Sequence, residues 1–268
     1  MRLQDRYAIR GGAPGRERLR LLSGVMQPGT EALLDAAGIR VGDRCLDIGC
    51  GGGDVAFELA RRVGPTGHVL GIDLDADKIE LARGEAAALG LCNITFEVRD
   101  LGDWTPPGDC NVAYARFLLS HLSAPGGLLK DLARHLPAGA LVIAEDVDFR
   151  GHFAEPPCPA LDRYVQLYAE TSNKRGGNAC LGPRLPALMR DAGLEDLHVS
   201  LHQPVAMDGG IKALTAMTFD LVADALRADG VPDEELQAVS RQLRACMEDP
   251  RTLHGGPRVF QCWGRVPG

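Results

Sequence analysis

Arg44-Cys-Leu-Asp-Ile-Gly-Cys-Gly-Gly-Gly-Asp54 is the stretch whose reading decides the fold. A short apolar run carrying Asp47 breaks into four glycines within five residues, and a helical pattern follows from Val55. A strand that opens through glycines into a helix brings bare backbone N–H groups and a helix N-terminus up to a ligand.

The pattern repeats downstream. Helix 54–63 sets Val55, Leu59 and Val63 at i, i+4, i+8 and stops at Gly64-Pro-Thr-Gly. Strand 68–74 carries Asp73, and helix 75–89 aligns Ile79, Ala82, Ala86 and Leu89 before Gly90. Strand 93–98 leads into Arg99-Asp100, and strand 110–115 is followed by helical patterns at 117–122 and 128–136. The apolar strand 140–144 runs into Glu145-Asp-Val-Asp. Strands alternating with helices over short loops predict an α/β fold, a parallel sheet with helices on both faces.

Outside this stretch the period loosens. Two short helices are predicted first, 16–26 and 30–37, the second with Thr30 as N-cap. Beyond residue 149 the helices are 160–171, 185–191, 211–229 and 233–247, and the strands 197–204 and 258–266. The whole chain, 1–268, reads as one domain. Its core sheet comes from 40–150, 193–207 and 257–267, and a helical cap from 1–30, 149–183 and 208–254.

Bulk properties narrow the function. The net charge of −7 argues against nucleic acid as the main partner. A local exception is the N-terminal segment, where Arg2, Arg6, Arg10, Arg16, Arg18 and Arg20 outnumber Asp5 and Glu17. It reads as a solvated arm, with capture of an anionic group as the sharper alternative. The start Met1-Arg-Leu-Gln-Asp-Arg has no apolar core of signal-peptide length, and no window reaches the ~18 apolar residues of a membrane span. Eight scattered cysteines form no C-x-x-C pair, so free thiols in a reducing cytoplasm are expected and no metal site is. Homodimer formation stays open.

Two nucleotide readings of the glycine turn fail. A dinucleotide fingerprint starting at Gly49 would end on Asp54, a carboxylate facing a pyrophosphate, and no Gly-Lys-Ser/Thr of a P-loop follows. What does match is D-x-G-x-G-x-G at Asp47, Gly49, Gly51 and Gly53. With Asp73, Asp100 and Ala115-Arg116-Phe117 at the ends of the next strands, the run resembles the class I S-adenosylmethionine-dependent methyltransferases. The nearest likeness is to their ubiquinone/menaquinone-biosynthesis-like, small-molecule branch.

The resemblance implies a Rossmann-like, seven-stranded, mostly parallel sheet, the tail supplying the last two strands. It implies S-adenosyl-L-methionine as cofactor and S-adenosyl-L-homocysteine as product. By the family pattern Asp73 holds both ribose hydroxyls, Asp100 takes the adenine amino group, and Ala115 and Arg116 line the methionine end. Asp47, Gly49, Cys50, Gly51 and Gly53 form the first motif, with Leu74 and Leu101 beside the two acids. Asp47 orients the glycine loop through backbone N–H groups, and Tyr7 could close the other side of the cofactor.

The implied reaction is in-line transfer of the sulfonium methyl to a small-molecule acceptor. The acceptor atom, O, N or C, stays open. The Asp-Pro-Pro-Tyr type motif of nucleic-acid amino methylation is absent, and Tyr114-Ala-Arg-Phe stands in its place. His152, just past strand five, is the first candidate base because imidazole titrates near neutrality. His121 is the second, and Asp146 and Asp148, on one side of their strand, remain in play. Rival readings are a protein of this fold that binds the cofactor for a non-methylating reaction, and a non-enzymatic interaction module.

Overall fold

A computed structural model describes residues 12–268. The chain enters through α1 (Gly12–Ala37) and then alternates β1 (Arg44–Ile48), α2 (Asp54–Val63), β2 (His68–Asp73), α3 (Ala76–Ala88) and β3 (Ile94–Val98). It continues with β4 (Val112–Arg116), α4 (Pro125–His135), β5 (Leu141–Asp148), β6 (Phe153–Glu155), α5 (Pro159–Lys174), α6 (Leu185–Asp191) and β7 (Glu195–His202). The last elements are β8 (Val205–Ala206), α7 (Gly210–Ala228), α8 (Asp233–Glu248), β9 (Leu253–Gly255) and β10 (Arg258–Arg265).

Seven strands form the main sheet in the order β3-β2-β1-β4-β5-β10-β7. The first five pair in parallel, and β10 runs antiparallel between β5 and β7. The strand order reverses between β1 and β4, so the crevice at their carboxyl ends is where an open α/β sheet takes its ligand. The parallel pairing expected from the alternation, and the seven-stranded, mostly parallel sheet that the resemblance implies, are both observed.

Helices cover both faces because β4 is apolar from Val112 to Ala115 and β5 from Leu141 to Ala144. On one face Leu33, Leu34, Val55, Leu59, Val63 and Ile79 pack with Tyr114 and Ile143; on the other Leu129, Leu132, Leu185 and Met189 pack with Leu46 and Ile48. A third cluster joins α5, α7 and α8 through Leu161, Tyr164, Phe219, Val222 and Leu243. Among the described residues no helix is long and apolar enough to cross a membrane.

Several predicted elements change. The two N-terminal helices are one, α1, which runs through Pro28. Proline removes one helical donor, which is why the sequence reads as a break. Tertiary contacts hold this turn instead: Gln261 Nε2 donates to the Gly29 carbonyl at 3.0 Å, and the His202 ring lies where a Gly29 side chain would begin. Thr30 is no N-cap. Its hydroxyl donates to Glu145 Oε1 at 2.9 Å inside the protein.

The helix expected at 117–122 is a single 3₁₀ turn, Leu119–His121. Strand β5 runs on past 144 to Asp148, with Glu145 opposite Gln261 and Asp146 opposite Phe260 on β10. The carboxylates of this extension are each partnered inside the protein. Strands β6, β9 and β8 form a small antiparallel sheet, each too short to show an alternating pattern.

Candidate active site

The glycine turn takes the shape that its residues allow. Gly49, Gly51 and Gly53 have φ of 72°, 54° and 89°, values that cost an L-residue about 1–2 kcal/mol. The Gly49 and Cys50 N–H groups both donate to the Ile72 carbonyl, at 2.8 and 2.9 Å, which fastens the turn to β2. Gly53 is also demanded by packing, since a Cβ there would lie 2.7 Å from Phe57 Cζ. Gly51 faces open space. Cys50 is half-buried, and burial pushes its thiol well above the usual range.

Three acids stand along the carboxyl edge of adjacent strands. Asp47, on β1, is 2% exposed, and its Oδ2 has no hydrogen-bond partner among the described residues. Burial raises its carboxyl to about 7, against the opposing pull of Arg116 and of the Ala56 N–H. The N–H that Asp47 faces therefore belongs to α2, where loop N–H groups were expected. Asp73, half-buried at the end of β2, accepts from Gly51 N–H through Oδ2 and from Asp75 N–H through Oδ1, both at 2.9 Å. One lone pair per oxygen remains for a diol. Asp100 lies two residues beyond β3, exposed, and its Oδ1 accepts from Gly102 N–H at 2.9 Å. Leu74 and Leu101 are half-buried beside them.

At the end of β4, Ala115 is buried and Arg116 half-buried. Arg116 Nη1 donates to Thr30 Oγ1 at 3.0 Å, and its guanidinium sits 5.7 Å from the centre of the Phe117 ring. Phe117 itself has φ 54°, a left-handed conformation rare for an aromatic residue, held by its N–H donating to the Glu145 carbonyl at 2.8 Å. Tyr7 lies outside the described residues.

These groups fit an adenosyl cofactor. The spare acceptors of Asp73 suit ribose hydroxyls, the open space beside Gly51 admits a ligand against bare backbone, and the orphaned Asp47 oxygen is an unused acceptor in the same crevice.

Past Phe117 the chain closes a cavity of about 70 Å³ between α1, α5, α7 and the segments after β4 and β5. Its wall carries Phe117, His121, Phe149, His152, Tyr164 and Tyr168. His152 sits between a 3₁₀ turn and β6, with its ring 4.7 Å from that of Phe149. Its Nδ1 lies 2.8 Å from the Phe149 carbonyl, which can only accept, so Nδ1 carries the proton and Nε2 keeps its lone pair. Burial pushes His152 down to about 3, and burial followed by the Arg18 and Lys78 charges pushes His121 down to about 4.

The two aspartates at the end of β5 are engaged elsewhere. Asp146 accepts from the Ser120 and Val147 N–H groups, both at 2.8 Å, and burial raises it to about 6. Asp148 is held by Arg150 and Arg258, each at 2.7 Å, which keep its carboxyl below the usual range against the opposing effect of burial.

One network escaped the sequence reading. Glu145, 2% exposed, accepts from Thr30, from Gln261 Nε2 at 2.7 Å, and from the Tyr114 hydroxyl. It ties α1, β4, β5 and β10 together directly beneath Arg116. Its partners are 31 to 116 positions away in sequence, so no local pattern signals them.

A sequence profile for the methyltransferase domain matches residues 39–181, more than half of the chain. The chain belongs to the methyltransferase domain family. It is similar to nocamycin O-methyltransferase of Saccharothrix syringae, 30% identical over 220 residues, covering 82% of this chain and 70% of that protein. It is also similar to a ubiquinone/menaquinone biosynthesis C-methyltransferase of Roseobacter denitrificans, 27% identical over 171 residues, covering 58% of this chain and 60% of that one. Geranyl diphosphate C-methyltransferase from Streptomyces coelicolor, solved with S-adenosyl-L-homocysteine, shares the fold at a TM-score of 0.53 and 17% identity. The match covers 90% of this chain and 79% of that one. Matched segments span 24–46% of the lengths of the first three curated relatives.

Proposed function

We propose that this methyltransferase domain alkylates a small-molecule acceptor held in the cavity between α1, α5 and α7. The observation that carries this reading is Phe117. The residue ends the β4 segment that would face the methionine end of the cofactor, and it also lines the cavity. When bound, S-adenosyl-L-methionine supplies a methyl group on a positively charged sulfur. Asp73 and Asp100 would hold its ribose and adenine, and the 49–53 turn its amino-acid portion.

The protein's own contribution is placement. Holding a nucleophile in line with the methyl carbon is worth up to roughly 10 kcal/mol. His152 is the proposed proton acceptor, with His121 second. Its anchored Nδ1–H presents Nε2 as a lone pair, and its low basicity keeps that lone pair free at neutral pH. A hydroxyl turns strongly acidic as it is alkylated, so a weak base suffices late in transfer.

A titration with S-adenosyl-L-methionine tests the cofactor half; absence of saturable binding would sink the whole proposal. Release of S-adenosyl-L-homocysteine in the presence of small hydroxylated and amino acceptors tests the transfer. His152→Ala is expected to lower turnover about 100-fold or more while cofactor affinity stays unchanged. Turnover within a few-fold of wild type would remove His152 from that role.

A further inference from the structure

We infer that Arg18 is an anion anchor in the acceptor cavity, and that the acceptor therefore carries a carboxylate. This rests on reading that cavity as the acceptor pocket. Arg18, Leu22 and Met26 lie on one stripe of α1, at i, i+4 and i+8, and all three line the cavity. Among the N-terminal arginines with described side chains, Arg20 pairs outward with Glu85 at 3.7 Å and Arg18 turns inward.

The inward side chain is built in. Arg18 Nε–H donates to Thr218 Oγ1 at 2.9 Å, and the buried Thr218 hydroxyl donates to the Leu214 carbonyl at 2.7 Å. That pins the guanidinium by its inner edge and leaves the terminal Nη groups for another partner. Among the described residues no carboxylate pairs with Arg18. By contrast, Arg62 and Arg175 each have an acid within ion-pair distance. The described cavity wall contains no Asp, Glu or Lys. The charge is felt across the space: besides burial, it pushes His121 further down, and it draws the Tyr164 hydroxyl down against the upward effect of burial.

Among the described residues the pocket thus carries one positive charge with no carboxylate paired to it, in a chain of net charge −7. A half-buried cation without a counter-charge is costly, and a ligand that brings one removes the cost. The free Nη edge suits a carboxylate taken by two parallel hydrogen bonds. A doubly charged phosphate would leave excess charge against aromatic walls. The cavity, about 70 Å³, has room for the head group of an acid.

The test uses the protein loaded with S-adenosyl-L-homocysteine, with propionate, its neutral isostere propionamide, and inorganic phosphate as probes. The Arg18 Nε–Hε signal, identified by its loss in Arg18→Lys, is followed by ¹⁵N–¹H NMR. Propionate is expected to shift it saturably, with propionamide and phosphate at least about tenfold weaker. Arg18→Gln is expected to lower propionate affinity at least about tenfold with melting temperature and S-adenosyl-L-homocysteine affinity retained, and Arg18→Lys to restore part of it. Thr218→Val, which frees Nε, gives an independent loss if Arg18→Gln does not fold. No saturable propionate effect, equal binding of propionamide, or unchanged affinity in Arg18→Gln overturns the proposal, and tighter phosphate binding overturns the carboxylate. Failure of S-adenosyl-L-homocysteine to bind is a separate result, against the methyl-transfer reading. The propionate arm is then read on the protein alone.

Discussion

Gly51 N–H donates to Asp73 Oδ2 at 2.9 Å, so the glycine turn after β1 and the acid at the end of β2 are one unit. Asp73→Ala removes the proposed acceptor for the ribose hydroxyls and the clamp on the turn together. It is expected to weaken S-adenosyl-L-homocysteine binding by about 1–3 kcal/mol, with Asp73→Asn losing less because one carboxyl-type oxygen remains. Calorimetric titration of both variants checks this, and equal affinities for wild type and Asp73→Ala would refute it.

Gly51 and Gly53 share a positive φ but differ in surroundings. Gly53→Ala would set its Cβ against Phe57 and Phe96, and is expected to cost about 2–4 kcal/mol in urea unfolding from strain and overpacking. Gly51→Ala meets nothing, so only the conformational cost of about 1–2 kcal/mol applies. Its methyl would instead enter the crevice, and the larger loss in cofactor affinity is expected at Gly51.

The buried histidines make acid a destabiliser. His152, His121 and His254 titrate at about 3, 4 and 4 in the folded protein against 6.5 in the unfolded chain. The unfolded chain takes the proton first, so their stability contribution is complete above 6.5 and is lost as pH falls toward 4. His152→Asn keeps a donor for the Phe149 carbonyl and removes the titration. Its melting temperature is expected to match wild type near pH 7.5 and to exceed it below pH 5.5.

Asp47 works with the opposite sign. Its folded carboxyl titrates near 7 against 3.8 unfolded, so the folded state holds the extra proton between those values. Its contribution is favourable at low pH and fades as pH rises through 7. Asp47→Asn is expected to raise stability more at pH 8 than at pH 5, measured by denaturant midpoint, while weakening cofactor binding at both.

Glu145 is the polar joint of the fold. Removing it leaves the Tyr114 hydroxyl without its acceptor in a dry interior and takes one acceptor each from Thr30 and Gln261, which keep Arg116 and the Gly29 carbonyl. Glu145→Ala is expected to cost about 3–5 kcal/mol in chemical unfolding, the scale for breaking a buried charged network from one side. It should also loosen Arg116, which shares Thr30.

The residues that read correctly from sequence are those whose neighbours are local. The period of 3.6 in α2 and α3, the apolar runs of β1 and β4, and the glycines at 49–53 are set by contacts within a few positions, so pattern alone places them. Pro28 misled because its helix-breaking cost is local while the contacts that override it come from Gln261 and Glu145. Strand β5 outruns its apolar stretch, 140–144, because Glu145, Asp146 and Asp148 find partners that no local pattern announces.

By itself the sequence determined the alternation of strands and helices from β1 to β5, the glycine turn, and the placing of Asp47, Asp73 and Asp100 at or just past strand ends, because each depends on backbone conformation or on a strand end. Only the tertiary structure decided which arginine turns inward, which histidines are kept neutral, and that Glu145 locks four elements together. Those outcomes depend on desolvation and on partners more than 30 positions apart, such as Arg18 and Thr218, and neither leaves a trace in local periodicity.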